Sequence, residues 1–248
     1  MKVIVAIQCR LSSARLPAKA LLSLADTTVL GMTIGRAKMA GYPVYLLTSD
    51  HIEDDLIALE GRRCGVSGMI RGPLENVLKR FELLAESQNP DYFVRVTADN
   101  PLTEYRFISP LVSHLHSHSI GYGLVDPKFC PEGTNLEVFT SDELYRSLLC
   151  DQSDHNKEHV TPWMRSSNGR AACIPESLLS GIQKASFSDF SFTVDTLDDY
   201  IKVASLIDMC CNRYSVSWRN SDFVSSCSWL ASDPFTQFPL GRTHPLGD

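Results

Sequence analysis

Three cations, Arg10, Arg15 and Lys19, lie within the ten residues RLSSARLPAK at positions 10–19, interrupted by Ser12, Ser13 and Pro17. A guanidinium forks onto two phosphate oxygens and an ammonium acts as a point charge, so a loop of this make-up is suited to cradle a polyphosphate. A solvated surface loop has the same composition, and charge alone does not separate the two readings. The standard glycine-rich cradles are absent. No GxxxxGK[ST] occurs, and GYGLVD at 121–126 has neither a third glycine nor a preceding strand. Because 10–19 contains no glycine, side chains there would hold most of any phosphate, with backbone N–H groups assisting.

The loop needs elements to position it. It follows Val3–Ile7, a continuous apolar run of the kind a strand buried on both faces requires. A helix is predicted over Thr28–Met39, capped by Thr27 or Thr28 and stopped by Gly41 and Pro43. Strands follow at Pro43–Thr48, Ser67–Arg71 and Tyr92–Thr97, alternating with helices over Glu53–Cys64 and Glu75–Ser87. Strand, loop and helix repeated at this spacing predict parallel βαβ units in a sheet covered on both faces. Ligands of such sheets bind at the strands' carboxyl ends, where both the 10–19 loop and the turn at Asp99 lie. Helices over Phe107–Ser117, Asp142–Cys150 and Asp198–Asp208 are also expected, and residues 212–248 read as a loosely held tail.

Composition bounds the function. The net charge of −6 and pI near 5.6 disfavour nucleic acid or an anionic membrane as partner, making the basic loop a local exception. MKVIVAIQCRLSS reads as a first strand and not a signal peptide, and no stretch approaches a membrane span. The eight cysteines show no CxxC pair and read as reduced thiols of a cytoplasmic protein. Cys9 beside Arg10 could have a lowered pKa, although small buried filler is its ordinary role. His114, His116 and His118 read as a solvated helix end, since at most two share a face. Trp163 and Trp218 read as packing residues.

Six segments, in order, carry a resemblance: RLSSARLPAKAL, IRGPLENVLKRF (70–81), FVRVTADNPL (93–102), GTNLEVF (133–139), EHVTPWM (158–164) and FTVDTLDDY (192–200). Together they resemble the cytidylyltransferases that activate acidic sugars, the acylneuraminate and KDO family, in the branch typified by spore coat polysaccharide biosynthesis protein F. The resemblance implies a three-layer α/β/α nucleotide-diphospho-sugar transferase-like fold with a mostly parallel sheet, spanning 1–211. It further implies a sugar pocket and dimer contacts within 103–170, and a homodimer. The implied activity is transfer of CMP from CTP to a nonulosonic-type sugar acid with release of pyrophosphate, in surface polysaccharide or glycoconjugate synthesis.

By the same resemblance, Arg10, Arg15 and Lys19 bind the triphosphate, Ser12 or Ser13 adds hydroxyl bonds, and Arg71 and Thr97 contact the base. Asp99 and Asp195 match the family's metal-binding aspartates, with Mg²⁺ as the implied cofactor. Asp99 in D-N-P also suits an Asx turn, and Asp195 also suits a helix cap. Asn135, Glu137 and His159 are placed near the sugar, Asn135 standing where the branch usually has an acidic residue. His159 equally suits a satisfied, partly buried histidine. Two other readings compete: a nucleotide-sugar-dependent glycosyltransferase, which would usually carry a DxD motif absent here, and a non-catalytic scaffold subunit, which would have lost the cations or aspartates.

Overall fold

The run VIVAIQ forms strand β1 (Val3–Gln8), and its alternate side chains enter opposite cores: Val3, Val5 and Ile7 one, Ile4 and Ala6 the other. A strand buried this way needs helices on both sides, and the chain supplies them. The computed structural model describes residues 1–125, 130–166, 171–174, 191–221 and 223–232.

After β1 the loop closes on a short hairpin, β2 (Ser23–Leu24) and β3 (Thr27–Thr28), which leads into helix α1 (Val29–Lys38). Thr28 caps α1 by accepting the Gly31 N–H at 2.9 Å, and Gly41, at φ 79°, ends the turn beyond it. There follow β4 (Val44–Ser49), α2 (Asp55–Arg63), β5 (Gly68–Gly72), α3 (Val77–Gln88) and β6 (Tyr92–Thr97). Next come α4 (Ile108–His118), β7 (Tyr122–Val125), β8 (Glu137–Thr140), α5 (Ser141–Cys150), α6 (Asp154–His159), α7 (Pro162–Ser166), β9 (Ala171–Ile174), α8 (Leu197–Asp208) and α9 (Phe223–Ser232).

Seven strands form one sheet in the order β5-β4-β1-β6-β8-β7-β9. The first four run parallel, β8 is antiparallel to both its neighbours, and β9 pairs parallel with β7. Side chains of α1, α2 and α4 cover one face, and those of α3, α5 and α7 cover the other, giving the expected three layers. Phe81, Phe93 and Phe139 pack ring on ring between α3 and the sheet, with centroids 5.4–5.8 Å apart. The chain builds outward from β1 to β4 and β5, then returns to the other side of β1 as β6. The order therefore reverses between β1 and β6, where a parallel sheet opens a crevice at its carboxyl edge.

Element boundaries follow the sequence closely, with one instructive shift. The helix expected over 53–64 opens as a 3₁₀ turn, Ile52–Asp54, before α2 begins. Asp54 is drawn back from the helix, accepting Ser49 N–H at 3.0 Å, the Thr48 hydroxyl at 3.1 Å and Leu11 N–H at 2.6 Å. The expected histidine cluster is a helix end: the His114 and His118 rings stack at 4.3 Å, and His116 meets the Tyr92 hydroxyl. No described helix is long and apolar enough to cross a membrane.

The tail assigned from residue 212 onward is corrected in its first part. Trp218, Phe223, Val224 and Cys227 are buried with Val29 and Met32 of α1 and with Val203, Leu206 and Ile207 of α8. The outer face of α1 is thus covered by the chain's last described helices. Trp218 lies so close over Gly35 that a methyl group there would meet its ring at 2.6 Å, and its indole N–H donates to Asp26 at 2.6 Å. Residues 234–248, with Phe235, Phe238 and Leu240, lie outside the described residues. Truncation of a large buried aromatic costs about 3–5 kcal/mol, so Trp218→Ala should lower unfolding stability by about that amount in urea titration. A loss below about 1 kcal/mol would restore the tail reading.

Candidate active site

A cavity of about 1490 Å³ opens at the carboxyl ends of β1 and β6. It exceeds the ~300–1,000 Å³ of ordinary small-molecule sites, leaving room for two substrates side by side. Its lining includes Arg10, Ser12, Ser13, Arg15, Lys19, Thr97, Asp99, Asn135, Glu137, His159 and Asp195. Of the residues singled out from sequence, Arg71 alone is not brought to it. Its guanidinium donates to Ser49 O and His51 O at 2.7 Å and pairs with Asp55. Arg71 is thus engaged by the end of β4 and by Asp55 and is not among the side chains that line this cavity.

The loop after β1 is held by backbone as much as by charge. Ala18, at φ 56°, donates to Leu11 O at 3.2 Å and turns the chain into a short 3₁₀ segment beginning at Lys19. Asp54 anchors the other end of the loop through Leu11 N–H. Asp54 carries no sequence signal beyond its acidic type, and its role emerges only when α2 is folded against β1. Ser13 accepts the Leu16 N–H at 3.4 Å, a local turn bond.

Lys19 lies at the centre. Its ammonium contacts Asp99 Oδ2 at 2.7 Å and Asp195 Oδ1 at 2.9 Å, while Arg15 meets Asp195 Oδ2 at 3.0 Å. Burial alone would depress the Lys19 pKa, but the two carboxylates outweigh it and raise the value. Asp195 is not the cap of α8. Thr196 caps it and forms a capping box with Asp199, which leaves the Asp195 carboxylate free for the cavity. Residues 192–195 are fastened to the Asp99 turn by Val194 N–H to Asp99 O and by Thr193 to Asn100, both at 2.9 Å. Gly133 permits this close approach: at φ 85°, a side chain there would strike the Phe192–Thr193 backbone at 2.6 Å. Asn100 also donates to the Thr97 hydroxyl at 2.8 Å.

The opposite end of the cavity is built on Glu137. This 6% exposed carboxylate pairs with Arg95, accepts Arg165 Nη2 at 2.7 Å and the Thr161 hydroxyl at 2.9 Å, and takes a bond from the Tyr122 hydroxyl. Burial works against its ionised form, but Arg95 and Arg165 prevail and hold its pKa below the ordinary value. The oxygens of Glu137 are thus committed to protein donors, and the groups it orients are Arg95 and Arg165. Asn135 is likewise engaged locally, donating to Val125 O and accepting the Leu136 N–H, both at 2.8 Å. His159 lies against His155 at the end of α6, its pKa lowered first by burial.

Sequence reasoning missed Arg80, Arg95, Arg165, Glu75 and Glu158, all of which line the cavity. Arg10 bridges the last two acids, contacting Glu75 at 3.2 Å and Glu158 at 2.9 Å. A signal existed for two of the cations. Arg95 interrupts the apolar strand YFVRVT, and Arg80 stands three residues after Val77 on the apolar stripe of α3. Cys9 is buried and its thiol is pushed up, first by desolvation and then by Asp54 and Asp99, so it is packing and not a nucleophile. Among the described residues no group of three or more metal-ligating side chains converges.

Comparison with known proteins agrees with this architecture. A cytidylyltransferase family model matches residues 4–205. The spore coat polysaccharide biosynthesis protein SpsF of Bacillus subtilis is 26% identical over 220 residues, covering 85% of this chain and 88% of SpsF. A cytidylyltransferase structure from Leptospira borgpetersenii superposes with a TM-score of 0.83 at 25% identity, covering 98% of this chain and all of that one. The CMP-2-keto-3-deoxy-manno-octonic acid synthetase complexed with CTP shares the fold, with a TM-score of 0.58 at 17% identity over 84% of this chain and 99% of its own. With a strand-end cation loop, a facing pair of aspartates and a family match across four-fifths of its length, this chain belongs to the cytidylyltransferase family.

Proposed function

We propose that the protein transfers CMP from CTP to the anomeric hydroxyl of an acidic sugar of the nonulosonic type, releasing pyrophosphate, for surface polysaccharide or glycoconjugate synthesis. The observation that carries this reading is the meeting of Lys19 with Asp99 and Asp195 beside Arg10 and Arg15 at the β1–β6 crevice. A triphosphate brings about four negative charges, and cations already held in a low-dielectric cleft need little reorganisation to receive them. Arg10, Arg15 and Lys19 exchange their carboxylate partners for phosphate oxygens. The sugar hydroxyl forms a bond to the α-phosphorus as the bond to the bridging oxygen breaks, its proton passing to solvent and pyrophosphate departing.

The donor set also fits a magnesium ion. Two carboxylate oxygens from different segments converge on one cationic nitrogen, and Mg²⁺ needs only one or two protein carboxylates besides phosphates and water. Asp99 and Asp195 would hold the ion, which when bound would offset negative charge on the phosphates. At the other end of the cavity, Arg95 and Arg165 supply positive charge for a sugar carboxylate, a feature that favours an acidic acceptor over a neutral one. SpsF, a spore coat polysaccharide biosynthesis protein, supports the same setting.

The test is pyrophosphate release from the four nucleoside triphosphates paired with a panel of sugar acids in Mg²⁺. CTP with at least one sugar acid should release pyrophosphate; no release from any pair sinks the proposal. Lys19→Met and Asp99→Asn should each lower turnover by about 100-fold or more, as loss of a charge-stabilising group does, with circular dichroism unchanged. Retained turnover in both would remove the site assignment. A pH prediction follows from Glu137, whose folded pKa lies below its ordinary 4.5. The stabilisation from its ionised form is fully present above pH 4.5 and is lost as pH falls through the lower folded value. The stability difference between the unaltered protein and Glu137→Gln should thus be constant above that pH and narrow below it, measured by urea titration across pH 3–7.

A further inference from the structure

The cover over α1 holds a pair of cysteines that the proposed reaction does not use. After α8 the chain tightens into a π-helical turn, Met209–Arg213, and doubles back: Val216 N–H donates to Cys210 O at 2.9 Å, and Ser215 takes φ 56°. Turns of this kind are rare in folded chains and recur at functional sites. Here the turn carries Cys210 into the cluster shared with α9, where its Sγ lies 3.2 Å from the Sγ of Cys227. Both residues are 0% exposed, and both thiols are free.

Cysteines are common in cores as small apolar filler, and one alone would signify no more than that. The contact between the sulfurs goes further. A disulfide sets its sulfurs ~2.0 Å apart, so about 1 Å of approach separates this pair from a bond, and α8 and α9 already lie side by side. Without such a bond, α9 is held by non-covalent contacts. Phe223 and Val224 pack on Val203, Leu206 and Ile207 of α8, and the buried Arg36 guanidinium donates to Trp218 O at 2.9 Å beneath the Phe223 ring.

We infer that Cys210 and Cys227 are a dithiol that a hydroperoxide closes to a disulfide, fastening α9 to the end of α8 and so locking the cover over α1. One sulfur attacks an oxygen of hydrogen peroxide, the O–O bond breaks, and a sulfenic acid and one water result. The second sulfur then attacks the sulfenic sulfur, the S–O bond breaks, and a second water leaves. The two thiols give up two electrons and two protons, and one peroxide is reduced to two waters. With the cover closed the pair is shielded, and burial before all else pushes the Cys227 thiol well above its ordinary pKa. Peroxide therefore reacts when α9 lifts locally, and reclosure brings the second sulfur to the first.

The experiment treats the folded full chain with hydrogen peroxide, blocks the remaining thiols with iodoacetamide and maps the peptides by tandem mass spectrometry. The expected result is a peptide pair joined through Cys210 and Cys227, a melting temperature raised by roughly 5 °C or more, and reversal of both by dithiothreitol. Cys210→Ala and Cys227→Ala should each lose the link and the rise, whereas Cys211→Ala should keep both. A link through Cys211 in place of Cys210, or oxidation confined to other cysteines such as the exposed Cys150, overturns the inference. A linked protein that melts no higher than the reduced one overturns it too, since the bond would then distort the cover it is inferred to fasten. Where an alanine variant fails to fold, the linked peptide of the unaltered chain decides. No outcome depends on the use of CTP.

Discussion

The contact of Lys19 with Asp99 and Asp195 ties together three segments that lie 80 and 96 positions apart along the chain. Each of them is brought there by a different part of the fold. Lys19 needs the loop turned at Ala18, Asp99 needs β6 beside β1, and Asp195 needs residues 192–195 fastened to the Asp99 turn. A partly buried ammonium between two carboxylates is a poor source of net stability once desolvation is counted. Its effect is to hold three charged groups together at the mouth of the crevice. The sheet provides rigidity, and the ionic contact holds the groups in readiness on it.

The parallel sheet explains why the charged residues meet. β1 and β6 are adjacent and parallel, so both release their loops at the same edge, and the reversal of strand order between them keeps any helix from filling the space. The antiparallel β8 then brings Glu137 next to Arg95 on β6, extending the charged lining sideways. One end of the crevice consequently presents cations paired with partly exposed carboxylates, and the other presents two guanidiniums held by a buried glutamate. The two ends of one cavity therefore differ in their electrostatics.

Much of this was legible because periodicity and loop chemistry are local. The apolar runs of β1, β4 and β6, the stops at Gly41 and Gly65, and the Arg-Lys loop all announce themselves within a few residues. Side-chain direction at a strand end is not local. Arg71 lies one residue before the end of β5, and the backbone carbonyls of Ser49 and His51 draw it away from the crevice. Arg80 and Arg95 were hidden differently: both occupy apolar surroundings in which an arginine reads as an irregularity of the pattern. The packing of Trp218 and α9 was illegible for a third reason, since their Ser- and Asn-rich context is that of a tail and their partners on α1 lie nearly 200 residues earlier.

The double burial of α1 has a consequence for how the protein is made. Its inner face meets the sheet, which is largely complete once β8 has formed, whereas its outer face waits for α8, Trp218 and α9. During synthesis from the amino terminus, Val29 and Met32 remain uncovered until residues beyond 223 have left the ribosome. The helix that follows the cation loop and its hairpin is thus made well before the segments that shelter its outer face. Throughout that interval the nascent chain carries an apolar helix face without its final cover.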